Sequence, residues 1–270
     1  AFANPSRTIA LYNIHTKETT TVLFKKDGKY IPSAMEKINW ALRDWRKDEP
    51  TTMDPELVDL LWEIHNELGS KEPIHIISGF RSRATNEALR TSVGGQASES
   101  RHILGKAADV HFPDVSLKKL RYSALIRERG GVGYYPTSAI PFVHVDTDRV
   151  RHWPRLPRYE LALLFPNGRT QHQPAEGGAI SLEDVKVAQS RHRDLAVQVA
   201  SFHDERKGVK PAIAVAQNAP AVAAPGVNPA VQQVALISPP ASAPKLIESP
   251  RVVDRPTPLI ARPSADERRK

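Results

Sequence analysis

Apolar and β-branched residues fall into short runs separated by polar turns along the first two-thirds of the chain, and the period of each run assigns its element. Residues 8–14, Thr-Ile-Ala-Leu-Tyr-Asn-Ile, and 19–24, Thr-Thr-Thr-Val-Leu-Phe, read as an antiparallel hairpin, with Asp27-Gly28 supplying a further turn. From Pro32 onward Met35, Ile38, Leu42 and Trp45 recur at helical spacing. Leu57, Leu60, Leu61 and Ile64 do so after Asp54-Pro55, an N-cap followed by a first-turn proline. Ile74 to Phe80 is a short apolar run that predicts a buried strand ending at Ser78-Gly79, followed by a short helix over Ala84 to Leu89. Ala107 to Phe112 predicts a strand and Ser116 to Arg127 an amphipathic helix. Gly131 to Tyr135 and Phe142 to Thr147 predict two more strands. The expected fold is α+β, a small antiparallel sheet with flanking helices.

After Arg158 the pattern weakens. Tyr159 to Phe165 fits a strand or a helix, and Ser181 to Phe202 an isolated amphipathic helix. Composition then sets the limits of the folded part. Every Trp lies between Trp40 and Trp153, no aromatic residue follows Phe202, and 11 of the 23 prolines come after residue 204. Such a tail buries too little apolar surface to offset the entropy of ordering. The expected organisation is a flexible 1–7, a folded domain over 8–170, a weakly structured extension over 171–206 with a helix over 181–202, and a disordered Pro/Ala-rich tail over 207–270.

The net charge of +8 suits an anionic polymer such as nucleic acid, a membrane surface or a bacterial wall, and sign alone does not choose. No Lys/Arg run interleaved with aromatics and no recognition-helix pattern is present, so nucleic acid is not an expected partner. There is no Cys, which excludes a disulfide framework, a thiolate metal site and a Cys nucleophile; a metal here must use His and carboxylates. No segment approaches the ~20 apolar residues of a membrane span. The opening Ala1-Phe2-Ala3 has the small-x-small form read by signal peptidase, so an exported protein of the periplasm or cell envelope is expected.

Two segments concentrate the candidate chemistry. In Ser100 to Asp109, His102 and Asp109 stand seven apart, and a loop folding back through Gly105 lets the imidazole meet the carboxylate of the following strand at one cation. In Phe142-Val143-His144-Val145-Asp146, strand alternation puts Phe142, His144 and Asp146 on one face and the two valines on the other. Three protein ligands with one open position is the arrangement of a catalytic zinc, which polarises a carbonyl and lowers the pKa of water to roughly 7. Two His and one Asp fit that count. A further carboxylate is needed to take up and deliver the proton.

The strings Ser78-Gly79-Phe80-Arg81-Ser82, Ser100-x-His102-x-x-Gly105-x-Ala107-x-Asp109 and His144-x-Asp146, with Gly-Val-Gly-Tyr-Tyr before the third, resemble the zinc D,D-carboxypeptidase and murein endopeptidase family. The likeness is in particular to its YcbK-like branch, and runs from about residue 8 to 170. The resemblance implies a hedgehog/D,D-peptidase-like fold around one zinc ion held by His102, Asp109 and His144, and Arg81 as a cation that stabilises the oxyanion of the tetrahedral intermediate. It implies a metallopeptidase that hydrolyses peptide bonds of peptidoglycan. The alternatives are a catalytically silent wall-binding protein that keeps the fold, and a hedgehog-like signalling or adhesion module.

The wider family carries a Glu or Asp three residues before the last zinc-binding His, and that position here is Pro141. Asp146 is therefore the expected base; it also suits a partner that holds the His144 imidazole, or a ligand in place of His144. His111, on the strand face of Asp109, reads as a cleft-lining residue or as a satisfied core or edge histidine. His152, beside Trp153, reads as a substrate-binding or near-surface residue.

Overall fold

The structure, a computed structural model, describes residues 6–92, 94 and 97–208. It is built on one eight-stranded sheet. In chain order come β1 (Arg7–Asn13), β2 (Thr19–Lys26), β3 (Lys29–Tyr30), α1 (Pro32–Ala41), α2 (Pro55–Glu67), β4 (Ile74–Ser78), α3 (Arg83–Ser92) and β5 (Ala107–His111). There follow α4 (Leu117–Ile126), β6 (Gly131–Tyr135), β7 (Phe142–Asp146), β8 (Arg151–Trp153), α5 (Arg158–Leu164), α6 (Leu182–Arg191) and α7 (Arg193–Arg206). The strand order is β3-β2-β1-β4-β5-β7-β6-β8.

The α+β class holds, but the sheet is neither small nor wholly antiparallel. The N-terminal hairpin joins the central strands by pairing β1 with β4 in parallel, and β8 pairs with β6 in parallel. A three-residue strand is too short to leave a period in the sequence, and a parallel contact between distant segments leaves no local turn signal. α1 ends at Ala41 rather than running to Trp45. The Leu42 carbonyl accepts from the Phe80 N–H at 2.7 Å, which fastens the end of the helix to the start of the loop after β4.

Alternation along the strands divides the two faces. Ile9, Leu11, Ile74, Ile76, Ala108, Val110, Val132, Val143 and Val145 are buried in the core with Leu57, Leu61 and Ile64 of α2 and Leu120 and Leu125 of α4. The other face carries His75, Asp109, His111 and His144. Asp54 caps α2 through its Glu56 N–H bond and Ser116 caps α4, as their positions in the sequence predict.

Residues 171–206, expected as a weakly structured extension, carry α6 and α7, separated at His192. Ile180, Val185, Ala188, Val199 and Phe202 join the core cluster, so this segment packs on the domain rather than standing as an isolated helix. Of the expected flexible 1–7, residues 1–5 lie outside the described residues, while Arg7 opens β1 and pairs with Asp59 at 2.6 Å. The expected disordered tail lies outside the described residues from 209 onward. Among the described residues, no helix is long and apolar enough to cross a membrane.

Candidate metal centre and active site

The site lies where β5 and β7 run side by side. Their register sets Asp109 opposite His144, and the loop before β5 adds His102. That loop is pinned at several points: the Arg81 N–H bonds the His102 carbonyl at 3.2 Å, Lys106 N–H the Arg101 carbonyl at 3.0 Å, and Asp54 N–H the Gly105 carbonyl at 2.9 Å. His102, Asp109 and His144 are all buried, and one ligand atom from each lies within 4.8 Å of the others.

The contacts are close. Asp109 Oδ1 is 2.9 Å from His144 Nδ1 and 3.3 Å from His102 Nε2, and the two imidazole nitrogens are 3.1 Å apart. The outer nitrogens explain which atoms face inward. His102 Nδ1–H donates to the Gly79 carbonyl at 2.7 Å, and His144 Nε2–H donates to Asp146 Oδ2 at 3.0 Å. With those protons committed outward, His102 Nε2 and His144 Nδ1 turn lone pairs toward each other and toward a carboxylate oxygen. Three acceptor atoms converging without a donor between them form a nest for a cation.

The electrostatics agree. Burial alone would raise the Asp109 carboxyl, but His102 and His144 hold it far below the usual carboxylate range. Burial lowers His102. Burial also works downward on His144, yet Asp109 and Asp146 outweigh it and the net shift is upward.

Asp146 sits behind this centre, not in front of it. Its side chain is fully buried. It accepts from Gly131 N–H at 2.8 Å, Asp148 N–H at 3.0 Å, both terminal nitrogens of Arg151 at 3.1 and 2.7 Å, and His144. Burial works to raise its carboxyl, and the bonds from His144 and Arg151 hold it well below the usual range. A carboxylate saturated by five donors and turned away from the cleft is poorly placed to take a proton from water. These contacts favour the second of the roles expected for Asp146, a partner that fixes the His144 ring, over that of base. The approach depends on Gly131: a Cβ there would stand 2.4 Å from Asp146 Oδ2 and 2.5 Å from Arg151 Nη1.

Arg81 lies in the wall of a cleft of about 520 Å³ that His102, Asp109 and His144 also line. Its loop is held from both sides, by Phe80 N–H to Leu42 O, its own N–H to His102 O, and Ser82 N–H to Asp44 Oδ2 at 3.0 Å. The guanidinium touches Ser100 Oγ at 3.4 Å, and its buried Nε has no partner. Burial pushes its pKa down, against the pull of Asp109. An incompletely paired guanidinium facing a cleft is suited to meeting negative charge that develops on a substrate.

The opposite wall is aromatic. Tyr135 stacks on Phe142 with centroids 4.5 Å apart, Trp153 Nε1–H donates to Tyr135 Oη at 2.8 Å, and the Trp153 ring lies 5.1 Å from that of His144. Gly133 makes room for the indole, since a Cβ there would meet it at 2.7 Å. Sequence reasoning missed this wall and the Arg151 clamp on Asp146. Their signal is the alternation Arg151, His152, Trp153, which sends the first and third to the cleft. His152 is accordingly buried beneath the sheet: its Nε2 accepts from Leu156 N–H at 2.8 Å and its Nδ1 lies 3.2 Å from His172 Nδ1. It is neither a substrate contact nor a surface residue. His111 lies at the end of the interior strand β5, opposite His75, with its Nδ1 2.9 Å from the Pro141 carbonyl.

Comparisons with known proteins bear on this centre. Peptidoglycan L,D-endopeptidase MepK of Escherichia coli K12 is 40% identical over 147 residues, covering 54% of this chain and 80% of that protein. The probable peptidoglycan L,D-endopeptidase MepK of Haemophilus influenzae is 38% identical over 148 residues, covering 54% and 78%. No solved structure matches significantly. The family model described as peptidoglycan L,D-endopeptidase MepK matches residues 1–153, a span that contains the whole histidine and aspartate centre, and the chain belongs to that M15 peptidase family.

Proposed function

We propose that the protein is a zinc peptidase that hydrolyses peptide bonds of peptidoglycan in the cell envelope, and that the bond it cuts joins an L to a D centre, as the names of its relatives state for them. The observation that carries the reading is the convergence of His102 Nε2, Asp109 Oδ1 and His144 Nδ1, 2.9 to 3.3 Å from one another. A tetrahedral zinc with bonds of ~2.0–2.1 Å spaces its ligand atoms about 3.3 Å apart, and the separations of 2.9, 3.1 and 3.3 Å fit that set. Nitrogen and carboxylate donors in a cysteine-free chain suit the same ion.

A zinc ion held there supplies Lewis acidity, polarising a carbonyl and activating water near neutral pH. The protein's own residues do the rest. Gly79 O and Asp146 fix the two imidazoles in the tautomers that present lone pairs to the ion. Arg81 faces the oxygen of the scissile carbonyl and stabilises the negative charge that grows there in the transition state. Tyr135, Phe142 and Trp153 hold the peptide against the centre and exclude water on that side. Elemental analysis of the purified protein tests the assignment: we expect one zinc per chain, and a His102→Ala protein that still folds but holds none. Equal zinc in both would refute the ligand set.

A further inference from the structure

We infer that Arg149 reads a free carboxylate beside the scissile bond, so that the enzyme takes peptides whose D residue carries an unblocked acid. The inference rests on the peptidase reading and adds the substrate's charge to it. Four arginines line the cleft: Arg81, Arg101, Arg149 and Arg151. Two are committed to acids: Arg101 Nε pairs with Asp148 at 2.7 Å and Arg151 grips Asp146. Arg81, buried beside Asp109 and touching Ser100, is the one assigned to the scissile oxygen. The Arg149 guanidinium alone makes no ion pair or hydrogen bond with the described residues, and it is exposed at the mouth.

Its backbone, by contrast, is fixed. Arg149 stands on the turn joining β7, which carries His144, to β8, which carries Trp153. Asp148 N–H bonds Asp146 on one side of it, and Arg151 Nη1 bonds the Arg149 carbonyl at 3.0 Å on the other. The neighbouring acid, Asp148, is neutralised by Arg101, which also ties this turn to the His102 loop. A cation on a pinned turn, beside an aromatic wall and with its nearest acid already engaged, is arranged to bind an incoming carboxylate as a charge-assisted pair. Peptide packed on Trp153 and Tyr135 with its scissile carbonyl at the metal centre would carry its acid toward this lip.

The test is an NMR titration of the ¹⁵N-labelled, zinc-free full chain with acetyl-L-alanyl-D-alanine, as the free acid and as the C-terminal carboxamide. We expect the free acid to bind about tenfold more tightly, Arg149→Gln to remove that preference while leaving carboxamide affinity unchanged, and Arg149→Lys to restore part of it. Equal affinities in the wild type, binding of neither probe, or a preference that survives in Arg149→Gln would each overturn the inference. Muropeptide release from sacculi by the wild type is scored separately: a preference lost with Arg149 in a protein that releases nothing would sink the peptidase reading and leave the carboxylate site standing.

Discussion

Replacing Asp146 by Asn separates its two contending roles. The carboxylate accepts five hydrogen bonds: Oδ1 from Gly131 N–H, Asp148 N–H and Arg151 Nη1, and Oδ2 from Arg151 Nη2 and His144 Nε2. Asparagine keeps the shape but offers one oxygen and one NH₂, so in either orientation at least two N–H donors face another donor. Each buried donor left unmatched costs about 1–3 kcal/mol, so destabilisation of roughly 3 kcal/mol is expected, short of unfolding a typical domain. For the metal centre the consequence is a His144 ring no longer held by a negative charge. Loss of such a partner weakens metal binding by roughly 10–100-fold. A proton-transferring base behaves differently: its removal leaves the metal in place and lowers turnover by about 10²–10⁴. Zinc affinity is measured by competition with a chromophoric chelator, and turnover at saturating zinc by muropeptide release. We expect weaker zinc binding and turnover that largely recovers when zinc is in excess. Unchanged affinity with turnover reduced more than a hundredfold would refute the assignment and return Asp146 to the role of base.

Three further outcomes follow from the same geometry. Arg81→Ala should lower kcat by about 10²–10³ with zinc content intact, as loss of an oxyanion donor does; a change confined to KM would contradict it. Gly133→Ala drives a methyl into the Trp153 indole and should cost about 1–3 kcal/mol in a denaturant titration while raising KM; wild-type values for both would show that the wall is looser than described. His152, pushed down to about 3 by burial and by His172, stays neutral in the folded chain but protonates near 6.5 when unfolded. Its contribution to stability is full above about pH 6.5 and falls as the pH drops toward 3. An NMR titration in which the folded His152 ring protonates near pH 6.5 would contradict that.

The convergence of His102, Asp109 and His144 was legible because strand alternation and the spacing around Gly105 are local signals, and because these residues and Arg81 fall in strings that resemble a family. Asp146 shows where such reasoning stops. Alternation correctly places it on the face of His144, but a face does not reveal what covers it. Here the cover is Arg151, five residues on and across a turn, together with a backbone N–H that only a glycine at 131 lets approach. The extent of the sheet was hidden for a similar reason: the β1–β4 pairing joins residues about sixty apart in the sequence. The amphipathic pattern over 181–202 marked a helix but not its packing on the domain, because the burial of α6 and α7 comes from a few residues such as Val185 and Phe202. His152 was misplaced because β8 is three residues long and its alternation becomes visible only once β6 is beside it.

The measurement closest to the central claim is mass spectrometry of the soluble products released from purified sacculi by the zinc-loaded protein, by the same protein after chelation, and by the chelated protein resupplied with zinc. The account predicts peptide fragments opened at bonds between L and D centres, absent after chelation and restored with zinc. Sacculi retained by the zinc-loaded protein with no fragment released would make it a wall-binding protein, and release unaffected by chelation would remove the metal centre from the chemistry.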